Sequence, residues 1–361
     1  MAVDHLYVHV PFCAHRCGYC DFVTVTGNED LRARYVDALI SELRAGLGSQ
    51  VAVATVFVGG GTPSLLDDQL LARLLAALPA REELTVECNP ETITEAKART
   101  LVEGGVTRVS LGAQSFRPHL LSTLERLASP EAIRAAVPVL RDAGIQSLNL
   151  DLMFGVPGQA EADLDGDLDD ALSLRPDHIS YYELEAKPGT RFTHRNGAEL
   201  ERQADAMERY YERVVERLQA AGFRWYETAN FCRPGHEARH NLAYWEGHDY
   251  LGVGVGAVST HGLRRTHVRP SLRHYLEAVE AGSPAPAETE ELTAEERAQE
   301  RVMLGLRLDR PLVVNGLADQ LVPEQVDRLE RAGLLSKGDG TLVLSERGRF
   351  VANSVIATIL R

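Results

Sequence analysis

Short runs rich in β-branched and aromatic residues alternate along this chain with longer helical patterns, and that alternation limits the fold more than any other feature. The runs are Leu6 to Val10, Val53 to Val58, Leu84 to Glu87, Arg108 to Leu111, Ser147 to Leu152, His178 to Leu184 and Arg224 to Thr228. Strands alternating with helices form βα units, and a series of such units builds a parallel sheet. The helical stretches carry start and stop signals. Glu95 to Glu103 runs into Gly104-Gly105, Pro130 to Ala143 follows Ser129 and ends at Gly144, and Leu200 to Ala221 ends at Gly222. Six or seven units are fewer than the eight that close a barrel. The expected class is α/β, a partial, open-sided (β/α)6 barrel, with a doubly wound sheet as the second choice.

Polar residues recur at the carboxyl ends of these runs. Gly59-Gly60-Gly61-Thr62 follows one, Glu87-Cys88-Asn89-Pro90 ends the next, Gln114-Ser115 follows a third, and Asp151 lies near the end of a fourth. In a parallel barrel, side chains at those ends converge on one mouth. A glycine run alone is a tight turn and a lone aspartate a helix cap; recurrence at one structural position points to a shared site.

Cys13, Cys17 and Cys20 sit in a Cys-x3-Cys-x2-Cys loop just after the first run. Three thiolates this close suit three irons of a cubane cluster and leave the fourth open, and an open iron can bind a substrate as well as pass electrons. A structural zinc wants a fourth Cys or His at paired spacing, and the loop offers only His9 and His15. A disulfide would leave one of the three unpaired.

The chain has 361 residues, 44% of them hydrophobic, enough for one large domain and a small one. Five cysteines, no secretory leader and no apolar run approaching ~18 residues read as a soluble, cytoplasmic protein, with peripheral membrane contact left open. A net charge of −14 argues against a nucleic-acid surface.

Five segments in order carry a family resemblance: the cysteine loop flanked by Tyr7, His9, Pro11 and Phe12; GGGTPS at Gly59 to Ser64; ECNPE at Glu87 to Glu91; GAQSF at Gly112 to Phe116; and NLDLMFGVPGQ at Asn149 to Gln159. Together they resemble the radical S-adenosylmethionine (SAM) superfamily, in particular the branch of the HemN-type oxygen-independent coproporphyrinogen III dehydrogenases and the HemW-type heme chaperones. The resemblance implies that Cys13, Cys17 and Cys20 ligate a [4Fe-4S] cluster whose open iron takes the amino and carboxylate groups of SAM. It further implies that Gly60, Gly61 and Thr62 pack on the SAM amino acid end, where missing side chains let the backbone approach. Glu87 would accept from the ribose hydroxyls. Tyr7, Gln114, Arg126 and Asp151 match SAM contacts, and Tyr19 matches an aromatic near a SAM in the HemN type.

One motif departs from the pattern. Where the branch reads Leu-Gly-Arg-x-His, this chain reads Leu124-Glu125-Arg126-Leu127-Ala128, which leaves a solvated surface charge as the alternative for Arg126.

Two features lean toward the chaperones. Asp21-Phe22 stands where the HemN type places a further cysteine, and His240-Asn241-Leu242-Ala243-Tyr244-Trp245 matches the His-Asn-x-x-Tyr-Trp signature of the HemW type. The implied function is heme binding and transfer to acceptor proteins; the rival is radical-mediated decarboxylation of propionates by a coproporphyrinogen dehydrogenase. His240 is a candidate heme ligand, with core aromatics as the plainer reading of Tyr244 and Trp245. A flavodoxin or ferredoxin is the electron donor the class implies. Cys88 reads as a small buried residue, Cys232, close before a Pro-Gly turn, as a cysteine without a paired partner, and Leu251 to Ala257 as a tight strand or turn.

The barrel is expected over 1–280 and a linker over 281–294, where Gly282-Ser283-Pro284-Ala285-Pro286 interrupts the pattern. A winged-helix-like domain is expected over 295–361, its hairpin turning at Asp339-Gly340. Residues 286–361 hold 10 Lys and Arg against 13 Asp and Glu, which disfavours DNA as its partner.

Overall fold

The computed structural model describes residues 3–48, 52–185, 187 and 191–361, without the side chains of residues 191 and 201–205. Its strands are β1 (His5–Val10), β2 (Thr55–Gly60), β3 (Glu83–Cys88), β4 (Arg108–Gln114), β5 (Ser147–Phe154), β6 (His178–Glu183), β7 (Arg224–Trp225), β8 (Asn230–Cys232), β9 (Leu251–Val253), β10 (Val258–His261), β11 (Arg264–Val268), β12 (Ala287–Glu291), β13 (Leu312–Val313), β14 (Leu335–Gly338) and β15 (Thr341–Leu344). The helices are α1 (Arg32–Leu47), α2 (Asp68–Ala76), α3 (Glu95–Glu103), α4 (Pro118–Thr123), α5 (Pro130–Ala143), α6 (Glu161–Ser173), α7 (Arg191–Ala220), α8 (Arg239–Trp245), α9 (Leu272–Glu280), α10 (Ala294–Gly305), α11 (Pro323–Arg331), α12 (Glu346–Phe350) and α13 (Ala352–Ile359).

Strands β1 to β6 pair in parallel in chain order within a sheet ordered β7-β8-β6-β5-β4-β3-β2-β1-β9. A doubly wound sheet reverses direction at a switch point within its main strands, and β1 to β6 do not; only the short β9 joins at the other edge, beside β1. Winding always to one side is the progression of a barrel, here left open because its edge strands, β7 and β9, do not pair. The seventh expected unit, Arg224 to Thr228, is instead the short β7, antiparallel to β8, which is itself antiparallel to β6. Four residues between Trp225 and Asn230 are room for a turn and not for a crossover helix.

Buried parallel strands usually read as continuous apolar runs, but these alternate. Leu6, Val8 and Val10, Val56 and Val58, Leu84 and Val86, Val109 and Leu111, and Leu148, Leu150 and Leu152 are all buried in the main core. The intervening positions, among them Glu87, Ser110, Asp151 and Ser180, face the barrel interior and line its cavity. A period of two therefore sorts apolar atoms outward to the helices and polar atoms inward.

Helix punctuation is legible at atomic level. Thr94 and Ser129 accept from the amides of Lys97 and Ala132 at the starts of α3 and α5, and Gly144 ends α5 in the left-handed region at φ 107°. Helix α7 begins at Arg191, one segment earlier than the expected Leu200.

Residues 281–294, expected as a linker, contain β12, which pairs antiparallel with β11 in a three-stranded sheet with β10. Cross-strand pairs of Arg264 with Glu291 and Arg265 with Glu290 supply the register that Pro and Ser obscured in the sequence. The carboxyl-terminal part has its own core of Val302, Leu312, Leu335, Leu342, Leu344, Val355, Ile356 and Ile359. Its hairpin, β14 to β15, turns at Gly340 with φ 64°. The last helical stretch breaks at Val351 into α12 and α13. This part docks on the barrel edge through Arg349, whose guanidinium lies 3.6 Å from the Trp225 ring centroid and donates to Trp225 O at 2.8 Å. Among the described residues, no helix is long and apolar enough to cross a membrane.

Candidate functional site: a cysteine loop over a polar barrel interior

The cysteine loop is pinned at both ends by backbone bonds. Cys13 N donates to Val25 O at 3.0 Å, Val25 N to Pro11 O at 2.8 Å, and Thr62 N to Phe12 O at 2.8 Å, so the loop is stitched to itself and to the turn after β2. Phe12 is buried edge-on against Tyr35, and His9 anchors the returning strand through Val23 O at 2.8 Å. Cys13, Cys17 and Cys20 are unpaired and half-buried on one cavity wall. Burial pushes the Cys13 and Cys20 thiols up. Polar donors back two of the sulfurs: Thr62 Oγ1 donates to Cys13 Sγ at 3.6 Å and Arg126 Nη1 to Cys17 Sγ at 3.8 Å.

The cavity beneath the loop holds about 310 Å³. Its lining brings together Cys13, Cys17, Tyr19, Cys20, Gly60, Gly61, Thr62, Glu87, Gln114, Arg126 and Asp151, eleven of the sequence-derived candidates. Arg126 is not a solvated charge. Its Nη2 donates to Asn89 Oδ1 at 3.0 Å and Gly112 O at 2.9 Å, tying the segment after α4 to the ends of β3 and β4. Glu87 accepts from Gly60 N at 2.9 Å, and burial lifts its carboxyl to about 7. Burial also raises Asp151, against hydrogen bonds from Ser110 and Asn149. Tyr7 lies outside the lining and bonds to His9 Nδ1 through its hydroxyl at 2.9 Å.

The structure places His240 at the other end of the barrel from the cysteines. Helix α8 sits against the amino-terminal ends of β1 to β3, where Glu83 accepts the Arg239 and His240 amides at 3.0 Å each. His240 Nδ1 is bonded to Thr55 Oγ1 at 2.8 Å and Nε2 to the Tyr244 hydroxyl at 2.9 Å. With 0% exposure and both ring nitrogens engaged, His240 presents no lone pair to an incoming iron. Its neighbour Asn241 lines the cavity instead.

Sequence reasoning passed over Arg108, Ser110, Ser180 and Tyr182, which also line the cavity, beside Asn89 and Asn241 of the ECNPE and HNLAYW segments. The signal was present for two of them: counting by two back from Gln114 through Gly112 gives Ser110 and Arg108 on one strand face.

The donor set suits the implied cofactors. Among the described residues no three His, Cys, Asp or Glu side chains converge as ligands of one metal ion would, and a cubane, which takes one thiolate per iron, asks for no such convergence. For SAM there is a backbone cradle that excludes side chains, since a Cβ at Gly60 would lie 2.3 Å from the His9 ring and one at Gly61 2.6 Å from Pro11 C. Arg126 Nε is buried without a hydrogen-bond partner.

Residues 7–171 match the model of the radical SAM superfamily, and residues 292–351 that of the HemN C-terminal domain. The heme chaperone HemW of Mycobacterium tuberculosis is 39% identical over 98% of this chain and 94% of its own length. That of Bacillus subtilis is 33% identical over 98% of both chains. Among solved structures, the radical SAM enzyme coproporphyrinogen III oxidase (HemN) from Escherichia coli aligns with a TM-score of 0.83 over 98% of this chain and 89% of its own, at 24% identity, a likeness of fold. The chain belongs to the HemW family within the radical SAM superfamily.

Proposed function

We propose that this protein is a heme chaperone, binding heme and passing it to acceptor proteins in the cytoplasm, with a [4Fe-4S] cluster and SAM as part of the device. The observation that carries the reading is full-length similarity to proteins named heme chaperones, at 39% and 33% identity. Asp21-Phe22 after the last cysteine and the HNLAYW segment support it. A cluster with one open iron supplies an electron and a binding position for SAM.

The chain's own residues would do the rest. Cys13, Cys17 and Cys20 would hold three irons, with Thr62 and Arg126 donating to two of the sulfurs and moderating their charge. Glu87 gives one oxygen to Gly60 N, which leaves Oε1 to accept from ribose hydroxyls. Gly60 and Gly61 would admit the amino acid end, while Tyr7 steadies His9 behind them. Gln114, Asp151 and Tyr19 would close the remaining walls. A flavodoxin or ferredoxin would reduce the cluster.

The likeness in fold to HemN keeps coproporphyrinogen dehydrogenase as the second reading. One anaerobically reconstituted sample decides between them by heme titration and coproporphyrinogen turnover. Stoichiometric heme binding without protoporphyrinogen formation is expected; catalytic turnover would replace the chaperone with the enzyme.

A further inference from the structure

Arg108 opens β4 on the inner face of the barrel and is 3% exposed. Arginine almost never goes fully buried unless paired. Here the side chain lines the cavity, its Nε is buried without a hydrogen-bond partner, and among the described residues it makes no ion pair. Across the register sits Thr85, whose Oγ1 is also buried and unpartnered. Glu87 and Asp151 are near enough to feel the charge, but their hydrogen bonds go to Gly60, Ser110, Asn149 and Ser180.

A carboxylate satisfies a guanidinium best, through two parallel N–H···O bonds. SAM has a carboxylate, but the family reading gives it to the open iron at the cysteine loop and gives the ribose to Glu87. Arg108 is level with Thr85, two residues below Glu87 and so about 7 Å deeper along the strand. A carboxylate arriving at that layer comes from a second molecule.

We infer that Arg108 receives a carboxylate of the cargo, a propionate arm of the tetrapyrrole, inside the barrel below SAM. This rests on the heme-chaperone reading, because heme is the cargo that carries such an arm. The polar floor is then a recognition element, selecting tetrapyrroles with free propionates over those whose acids are esterified.

The test titrates reconstituted, SAM-loaded wild type, Arg108→Gln and Arg108→Lys with heme and with heme dimethyl ester, and measures SAM affinity in parallel. Wild type is expected to bind heme about tenfold or more tighter than the ester, the size of one charge-assisted contact. Arg108→Gln is expected to bind both alike, with SAM affinity and iron content at wild-type values, and Arg108→Lys to recover part of the preference. Equal wild-type affinity for heme and ester, or an Arg108→Gln variant that keeps the preference, overturns the Arg108 assignment and leaves the chaperone reading standing. Loss of SAM binding in Arg108→Gln with the preference intact overturns it too, by giving Arg108 to SAM. A wild type that binds neither compound sinks the chaperone reading itself. If Arg108→Gln does not fold, the wild-type comparison of heme with ester still decides.

Discussion

His240 Nδ1 lies 2.8 Å from Thr55 Oγ1, the side chain that opens β2, and Thr55 Oγ1 in turn lies 2.9 Å from His5 Nδ1. The histidine of the HNLAYW segment is thus a strut in the barrel floor. Replacing it by alanine takes away one of the two partners of Thr55 Oγ1, His5 remaining, and removes the bond from the half-buried Tyr244 hydroxyl, at a cost of about 1–3 kcal/mol. The heme-bound absorption spectrum of His240→Ala should match that of wild type while denaturant unfolding shifts to lower midpoint. A changed heme spectrum with unchanged stability would make His240 a ligand after all.

The same residue sets an acid limit. Burial first, and the nearby His5 second, lower His240 from 6.5 to about 3 in the folded state. The unfolded chain therefore binds the proton more readily, and the contribution of neutral His240 is present above pH ~6.5 and is lost as pH falls toward 3. His240→Asn should flatten that part of the stability-versus-pH curve, read by thermal melts of the cluster-free protein.

Glu87 has the opposite sign. Burial raises its carboxyl from 4.5 to about 7, so the folded state holds the proton, and its contribution is full below 4.5 and lost as pH rises through about 7. Glu87→Gln should melt higher than wild type above pH 7 in the cluster-free form, yet bind SAM at least tenfold more weakly once reconstituted, for want of an ionised acceptor. Unchanged SAM affinity by isothermal titration would remove Glu87 from the site.

Gly60 tolerates no side chain. At φ 108°, with an added Cβ only 2.3 Å from the His9 ring, Gly60→Ala combines backbone strain with a clash beneath the cysteine loop. A loss of about 2–4 kcal/mol and reduced iron uptake on reconstitution are expected, whereas Gly144→Ala, strained but with nothing within 4 Å, should lose stability and keep iron.

Arg126 forks between Cys17, Asn89 and Gly112, a geometry that an ammonium does not reproduce. Arg126→Lys should therefore load iron but release it faster under chelator than wild type. Replacing Cys13, Cys17 or Cys20 by serine should abolish loading, and Cys88→Ser should not. Equal chelation rates for Arg126→Lys and wild type would reduce the arginine to a bystander.

The parts that rest on local chain geometry were legible. Three cysteines within eight residues share a loop in any fold, and inward polar stripes follow from a period of two once a strand is recognised. Caps such as Ser129 and Gly144 act within a few residues of themselves. Residues 281–294 misled because Pro and Ser at their start carry a loop signature, whereas β12 is held by arginines on β11, about 25 residues earlier.

The sequence by itself determined the cluster loop, the α/β class and the family pattern. Only the tertiary structure decided that Arg126 reaches Cys17 across 109 residues, that α8 closes the floor and not the mouth, and that Arg108 stands in the interior with no ion pair among the described residues. Spacing along the chain governs what covalent geometry brings together. Contacts between distant segments depend on how the outward apolar faces pack, and that packing alone selects which polar groups are left facing one another inside.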